Sequence, residues 1–204
     1  MTTENCIINL RNLINIFLLL PLLLFAEMSL AEEPVITSIV ILGNDITEDH
    51  IILREMETKA GDPVDAAMLE RDRLHIRNLG IFGRVVLEPV AVDDGITLFV
   101  YVEERFRIIP YPAVDRSEEN GWSFGGGIIY RNFRGRNQTL NLYGLIGGEN
   151  EYQIYYYDPW VFGDRISLRL EIMRTEWNNF YEDFYQITHT VWGELGKRWG
   201  YEFF

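Results

Sequence analysis

Residues 121–174 alternate between apolar and small or polar side chains, and this two-residue period constrains the fold more than any other feature of the sequence. The clearest run alternates four aliphatic residues with a set that includes two opposite charges: Ile166, Leu168, Leu170 and Ile172 against Ser167, Arg169, Glu171 and Met173. Because successive side chains of a strand point to opposite faces, the charges lie on the face away from the aliphatic residues. Repeated runs of about ten residues with one apolar face are typical of an outer-membrane β-barrel.

The rival interpretation is a soluble antiparallel sandwich, whose strands also alternate in polarity. The aromatic residues favour the membrane alternative. All five tryptophans lie between Trp122 and Trp199, and ten of the eleven tyrosines follow residue 110. Many stand near the ends of the runs, and both residue types are enriched where a membrane meets water. We therefore predict membrane-spanning strands.

The N-terminal residues are typical of an export signal. Arg11 precedes an apolar stretch at residues 16–26, which is followed by the small-x-small sequence Ser29-Leu30-Ala31. We predict a signal peptide of residues 1–31, because the apolar stretch is shorter than the about 20 residues that a membrane-spanning helix needs. An uncleaved anchor stays open as the alternative. Cleavage would remove Cys6, the single cysteine, and with it any disulfide, thiolate metal site or cysteine nucleophile.

The next 70 or so residues predict a small α+β module with the order β-α-α-β-β. Its pieces are a β-branched run, two helical patterns and two further β-branched runs: residues 35–42, 47–56, 63–79, 85–90 and 96–102. The last two runs flank Asp93-Asp94-Gly95, and Asp-Gly between β-branched runs is a strong hairpin signal. Pro89 cannot donate to a strand ladder, so its strand is predicted at a sheet edge.

Helix boundaries follow from capping residues. Thr47 is predicted to cap the first helix, Asp62-Pro63 to start the second, and Gly80 to end it. Four potential metal ligands crowd the start of the first helix: Asp45, Glu48, Asp49 and His50. Acidic residues favour the positive end of a helix, so we attribute this crowding to capping rather than to a metal site.

The order of these pieces resembles the BamA/TamA-like outer-membrane assembly superfamily, in which periplasmic POTRA modules precede a C-terminal β-barrel. The POTRA pattern is carried by Gly43-Asn44, Thr47, Gly61-Asp62-Pro63-Val64-Asp65, Leu79-Gly80-Ile81-Phe82-Gly83-Arg84-Val85 and Val102-Glu103-Glu104. The first and second periplasmic turns of the family's barrel are matched by Asn132-Phe133-Arg134-Gly135-Arg136-Asn137 and Asp158-Pro159-Trp160-Val161-Phe162-Gly163. The resemblance covers residues 35–196.

The resemblance implies a POTRA-like periplasmic domain at residues 35–104 and about the first six antiparallel transmembrane strands of a barrel at residues 105–204. Single-chain barrels have about eight strands or more, so we expect an incomplete barrel. The family's late V-R-G-F/Y motif is also missing, and fewer POTRA modules are present than in some relatives. We therefore expect the N-terminal part of a longer protein or a truncated product.

Two strand edges are the candidate binding sites. An exposed POTRA strand can accept an extended client by strand addition, and the candidate client-binding edge is Val85, Val86, Leu87, Glu88 and Val90. The alternative is that this edge packs against a neighbouring module. In the family, the first barrel strand pairs weakly with the last and is implicated in client insertion. The corresponding candidate seam is Arg107, Ile108, Ile109, Tyr111 and Val114.

Catalytic chemistry is not indicated. The three histidines are scattered, and Gly125-Gly126-Gly127 lies inside a strand pattern without the Lys-Ser/Thr of a phosphate loop. A net charge of −13 argues against nucleic acid. We expect no enzyme activity, cofactor or metal.

The predicted function is insertion or translocation of proteins at the bacterial outer membrane, with the POTRA domain in the periplasm. The expected partners are outer-membrane lipid and unfolded β-rich client proteins or other assembly subunits. Two alternatives stay open. One is a structural fragment without insertion activity, and the other is the barrel part of a hydrolase-linked relative.

Overall fold

The structure is a computed structural model that describes residues 34–93, 95–162, 165–179 and 184–199. The predicted signal peptide, residues 1–31, lies outside the described residues. The described chain contains two β-sheets, one of three strands and one of six.

The first sheet forms with two helices. In chain order the elements are β1 (Ile36–Leu42), α1 (Asp49–Leu53), α2 (Ala66–Asn78), β2 (Phe82–Val92) and β3 (Gly95–Glu104). The strand order is β1-β3-β2, with β1 parallel and β2 antiparallel to the central β3. The predicted β-α-α-β-β order is therefore confirmed, and β2 is an edge strand, as Pro89 indicated.

The helices and one face of this sheet enclose the hydrophobic core. Ile51 and Ile52 of α1, Ile76 of α2, and Leu98 and Val100 of β3 are almost completely buried. Removing such side chains from water stabilises a domain by about 1.5–3 kcal/mol each.

The start of α2 differs from the prediction. Asp65, not Asp62, caps this helix, and its carboxylate accepts a hydrogen bond of 2.8 Å from the backbone N–H of Ala67. Asp62 instead accepts from the N–H of Lys59 at 2.7 Å, in the preceding turn. Gly80 has a φ of +73° directly after the cap residue Leu79, so the predicted glycine stop is confirmed.

The second sheet is a continuous antiparallel meander. Its strands are β4 (Ile108–Ser117), β5 (Gly121–Phe133), β6 (Gln138–Gly147), β7 (Glu149–Asp158), β8 (Ile166–Asn179) and β9 (Phe184–Lys197). Each strand pairs with the next along the chain, so β4 and β9 are the two edges. The described part of the sheet is not closed, as expected for an incomplete barrel, and it is one layer rather than the rival sandwich.

The two faces of this sheet differ in polarity as predicted. One face exposes large apolar side chains, among them Phe124, Ile146, Ile172 and Val191. The register places the polar residues on the other face, where Tyr155 lies opposite Glu171 and Arg169 opposite Glu194. Neither helix of the described residues is both long and apolar enough to cross a membrane.

Candidate functional site

Strand β2 offers one unpaired side. It pairs with β3 through a nearly continuous ladder in which Pro89 lies opposite Leu98. Since Pro89 has no N–H to give to β3, we infer that its backbone nitrogen faces the open side. Backbone direction alternates along a strand, so Val85 and Leu87 direct their amide groups to the open side as well.

Shallow cavities flank β2 on both faces of the sheet. On the helix side a cavity of about 280 Å³ is lined by Val64, Leu69 and Arg73 together with Leu87 and Pro89. On the opposite face a cavity of about 370 Å³ is lined by Arg84, Val86, Glu88, Tyr101, Val102 and Glu103. An added strand projects its side chains alternately to the two faces, so it would meet a cavity on each.

The predicted edge residues are not equivalent. The side chain of Val85 is buried in the core, so only its backbone is accessible. Val86 and Leu87 are half-buried, while Glu88 and Val90 are exposed. The structure thus places all five on one edge strand, whereas a client-binding role for them stays a prediction.

Strand β4 is the open edge of the large sheet, and two prolines modify it. The carbonyl of Arg107 accepts a hydrogen bond of 2.8 Å from the N–H of Arg131, so odd-numbered residues face β5 and even-numbered ones face the open side. Pro110 and Pro112 are both even-numbered. They remove two donors from the open edge and none from the ladder to β5, which weakens any pairing of β4 with a further strand.

The remaining seam residues hold β4 against β5 and β6. A guanidinium nitrogen of Arg107 donates to the hydroxyl of Tyr130 at 3.2 Å. The ring of Tyr111 stacks on Tyr143 at 6.2 Å, and its hydroxyl donates to Asn141 at 3.2 Å. Ile109 is half-buried, whereas Ile108 and Val114 are exposed on the apolar face.

A polar junction connects the POTRA-like part to the large sheet, and Thr47 lies at its centre. Thr47 does not cap α1, whose cap residue is Glu48 without a side-chain bond, so that prediction is wrong. The hydroxyl of Thr47 instead donates to a carboxylate oxygen of Glu104, which also accepts the N–H of Thr47 at 2.6 Å. The same hydroxyl accepts from Asn132 at 2.8 Å.

The turn between β5 and β6 makes the next contacts of the junction. The N–H of Glu48 donates to the carbonyl of Gly135 at 3.0 Å, and Arg136 donates to the carboxylate of Glu48 at 2.7 Å. The bond from Arg136 holds the pKa of Glu48 below its usual range and raises that of Arg136. The crowded acids before α1 therefore include junction contacts, and no metal-binding group of three acids or histidines occurs in the described residues.

The residues that follow α1 contact the chain just after β7 and just after β9. The guanidinium of Arg54 lies 4.4 Å from the ring centre of Trp160. Burial lowers the pKa of Arg54. The neighbouring Glu55 is buried, with one carboxylate oxygen 3.5 Å from Arg54 and 3.7 Å from Arg198.

Local sequence signals do not predict this junction. Its partners Thr47 and Asn132 are 85 residues apart, and only the docking of the two parts brings them together. The available signal was the unusual turn Asn132 to Asn137, where two arginines and two asparagines have no capping or catalytic explanation.

The fold has counterparts among known proteins. Residues 34–105 match the POTRA family, described as surface antigen variable number repeat. BamA from Haemophilus ducreyi lacking POTRA domains 1–3 superimposes with a TM-score of 0.68 over 79% of this chain and 32% of that one, at 22% identity.

Two curated sequences are also similar. Outer envelope protein 80 of the rice chloroplast, from Oryza sativa subsp. japonica, is 30% identical over 149 residues, which are 62% of this chain and 20% of that protein. The outer membrane protein assembly factor BamA of Nitratidesulfovibrio vulgaris is 28% identical over 116 residues, 56% of this chain and 15% of that protein. The chain thus spans a fifth or less of the length of these relatives.

A POTRA module joined to an amphipathic antiparallel sheet defines an outer-membrane protein whose POTRA module lies in the periplasm. More particularly, the chain is BamA/TamA-like and combines a POTRA module with part of a BamA-like barrel.

Proposed function

We propose that the chain acts in the insertion or translocation of proteins at the outer membrane, by strand addition to β2 and at the β4 edge. The observation that carries this proposal is the open edge of β2, which has a cavity on each face of the sheet. Main-chain hydrogen bonds would supply affinity there, and the two cavities would select alternate side chains. Unfolded β-rich segments are therefore the proposed clients.

The chemistry of the two cavities indicates which clients fit. The helix-side cavity combines apolar Val64, Leu69 and Leu87 with the paired charges of Glu70 and Arg73, so it suits an apolar or aromatic side chain with a polar tip. The opposite cavity has Arg84 beside Glu88 and Glu103, so it suits polar side chains. Strands of outer-membrane barrels alternate in this way.

The β4 edge supports the second half of the proposal. Pro110 and Pro112 leave the open side of β4 short of donors, so a closing strand would be held by fewer hydrogen bonds than a strand inside the sheet. Each missing bond contributes about 0.5–1.5 kcal/mol net. A seam with two such gaps would open more readily than its neighbours and admit a client strand.

A peptide-binding experiment tests the POTRA half. The probe is a fluorescent peptide with the sequence of residues 166–175, a barrel strand taken from this chain. Leu87→Pro removes one outward amide and should weaken binding about two- to tenfold, the value of one hydrogen bond. Leu87→Ala keeps the amide and is the matched control for the lost side chain. Equal affinities of the two variants would overturn strand addition at β2.

A further inference from the structure

We propose that the turn between β5 and β6 is a docking site for the POTRA module of the same chain, with Gly135 and Asn132 as positioning residues. The docked turn fixes the direction in which β2 faces the β4 edge. Only the consequence of this docking for clients rests on the proposed function.

A buried chain of hydrogen bonds joins the turn to the POTRA module. Asn132 is 2% exposed and Thr47 is 2% exposed. The amide of Asn132 donates to Thr47, and its side-chain oxygen accepts the N–H of Asn137 at 2.8 Å. The same side chain thereby shapes the turn and binds the POTRA module. A buried polar group left without its partner is destabilising, so the docked arrangement is specific.

The backbone of the turn supports the same conclusion. Asn132, Arg134, Gly135 and Asn137 all have φ values between +51° and +72°. This left-handed conformation is costly for residues other than glycine, with asparagine the least penalised. Such a turn persists when surrounding contacts hold it, and here the POTRA module supplies two of them, from Thr47 and from the N–H of Glu48.

The POTRA backbone lies directly against Gly135 of the turn. A Cβ atom at this position would overlap the carbonyl oxygen of Ile46, so the POTRA backbone approaches as closely as a glycine permits. Gly121, the first residue of β5, has a similar φ of +86° but nothing within 4 Å of its Cβ position. Among the described glycines, Gly135 therefore combines the left-handed conformation with direct contact to the other module.

Charge complementarity gives the site its orientation. Arg136 of the turn binds Glu48, and His50 lies 3.2 Å from the same carboxylate. Both members of the Arg136 pair are well exposed, so the pair contributes little to stability. It instead determines which face of the turn meets which residue of the POTRA module.

Distance measurements between spin labels test the proposal in the full chain, reconstituted in phospholipid vesicles with Cys6→Ser. Labels at Arg77→Cys in α2 and Glu118→Cys beyond β4 report on the two modules. We expect one narrow distance distribution in the parent chain and a clearly broader or shifted one in Gly135→Ala. Gly121→Ala, with the same backbone strain but no POTRA contact, should match the parent. If Gly135→Ala and Gly121→Ala give the same distribution, the docking site is refuted.

Two further measurements exclude a folding defect. A label pair within the POTRA module, Arg77→Cys with Glu88→Cys, should give the same distance in every variant. Glu48→Arg and Arg136→Glu should each broaden the distribution between the modules, and the double exchange should narrow it again. Failure of that rescue would overturn the role assigned to the pair.

The peptide probe separates the docking site from the proposed function. Gly135→Ala leaves β2 unchanged and should bind the peptide of residues 166–175 as the parent does. If the parent chain does not bind the peptide yet shows the narrow distribution, the proposed function fails and the docking site stands. A broad distribution in the parent chain, with peptide binding intact, would refute the docking site and leave the proposed function standing.

Discussion

Several buried polar residues of this chain hold backbone groups that no helix or strand satisfies. Asp72 of α2 is completely buried, and its two carboxylate oxygens accept the N–H groups of Glu57 and Thr58 at 2.7 and 3.1 Å. Glu104 accepts the N–H groups of Ile46 and Thr47, in the segment before α1. Buried polar groups are tolerated when they are hydrogen-bonded, so these acids stabilise loops that carry no regular structure.

Replacing Asp72 should therefore loosen the segment between α1 and α2. Asp72→Ala leaves two amides without an acceptor and should lower the free energy of unfolding by about 1–3 kcal/mol or more. Hydrogen–deuterium exchange should show lost protection at residues 57 and 58. Glu70→Ala removes an exposed pair with Arg73 and should leave that exchange unchanged. Equal exchange in both variants would contradict the assignment.

The Glu48–Arg136 contact predicts a pH dependence of docking. Arg136, His50 and Arg134 lower the pKa of Glu48 from the usual value of about 4.5. A carboxyl group whose pKa is lowered on folding stabilises the folded state above the usual value, and this contribution is lost as the pH falls through the lowered pKa. The distance distribution between the modules should stay narrow from pH 7 to pH 5 and broaden below about pH 4.5.

Glu48→Gln provides the control for this titration, because it cannot change charge. The distance distribution of this variant should not respond to titration of residue 48. The difference between parent and variant therefore reports the titration of Glu48 separately from that of the other acids. Identical pH courses for the two chains would contradict the prediction.

Strands of the large sheet approach one another closely where glycines stand. A Cβ atom at Gly127 would overlap the ring of Tyr111 and lie 2.7 Å from the carbonyl oxygen of Leu142. Gly125 and Gly126 are similarly confined by the backbones of β6 and β4. The glycines at positions 125–127 thus leave room for the ring of Tyr111 against the sheet and hold the edge strand β4 in register.

Gly127→Ala should displace β4. The added methyl group forces Tyr111 out of its contact with Tyr143 and Asn141, so the amides of residues 109, 111 and 113 should exchange faster. Gly144→Ala is the matched control, since the nearest atoms to its Cβ position are 3.7 Å away. Unchanged exchange in Gly127→Ala would show that the tyrosine does not fix the edge.

Across the whole of the large sheet, neighbouring residues lie in different environments, one on the apolar face and the next on the polar face. Ile172 is 52% exposed on the apolar face, between Ile154 and Val191. Met173 points to the opposite face, between Gln153 and Thr190. The alternation therefore places a side chain of the apolar face and a side chain of the polar face one residue apart.

Arginine substitutions should separate these two environments. Ile172→Arg should destabilise the sheet in the membrane by about 2–4 kcal/mol if the residue lies near the bilayer midplane. Met173→Arg should cost much less. Urea titration of the chain in vesicles, followed by tryptophan fluorescence, measures both. A larger effect at Met173 would reverse the assignment of the two faces.

Local sequence signals were enough to predict the type and order of the elements and both edge strands. Period-2 alternation, Gly80 and Pro89 act over short distances, because propensity, turn geometry and side-chain direction depend on neighbouring residues. For the same reason the sequence predicted which faces of the large sheet are apolar. The POTRA module was predicted in the same way, from local signals in a fixed order.

The roles of Thr47 and the turn at Gly135 depend instead on long-range packing. Thr47 has the sequence signature of a cap, yet its hydroxyl bonds to Glu104 and Asn132, which are 57 and 85 residues away. A hydroxyl takes whichever partners the fold brings within about 3 Å, and local sequence does not specify partners so distant. The junction between the modules is therefore a product of docking, whereas the strands that it connects follow from the sequence pattern.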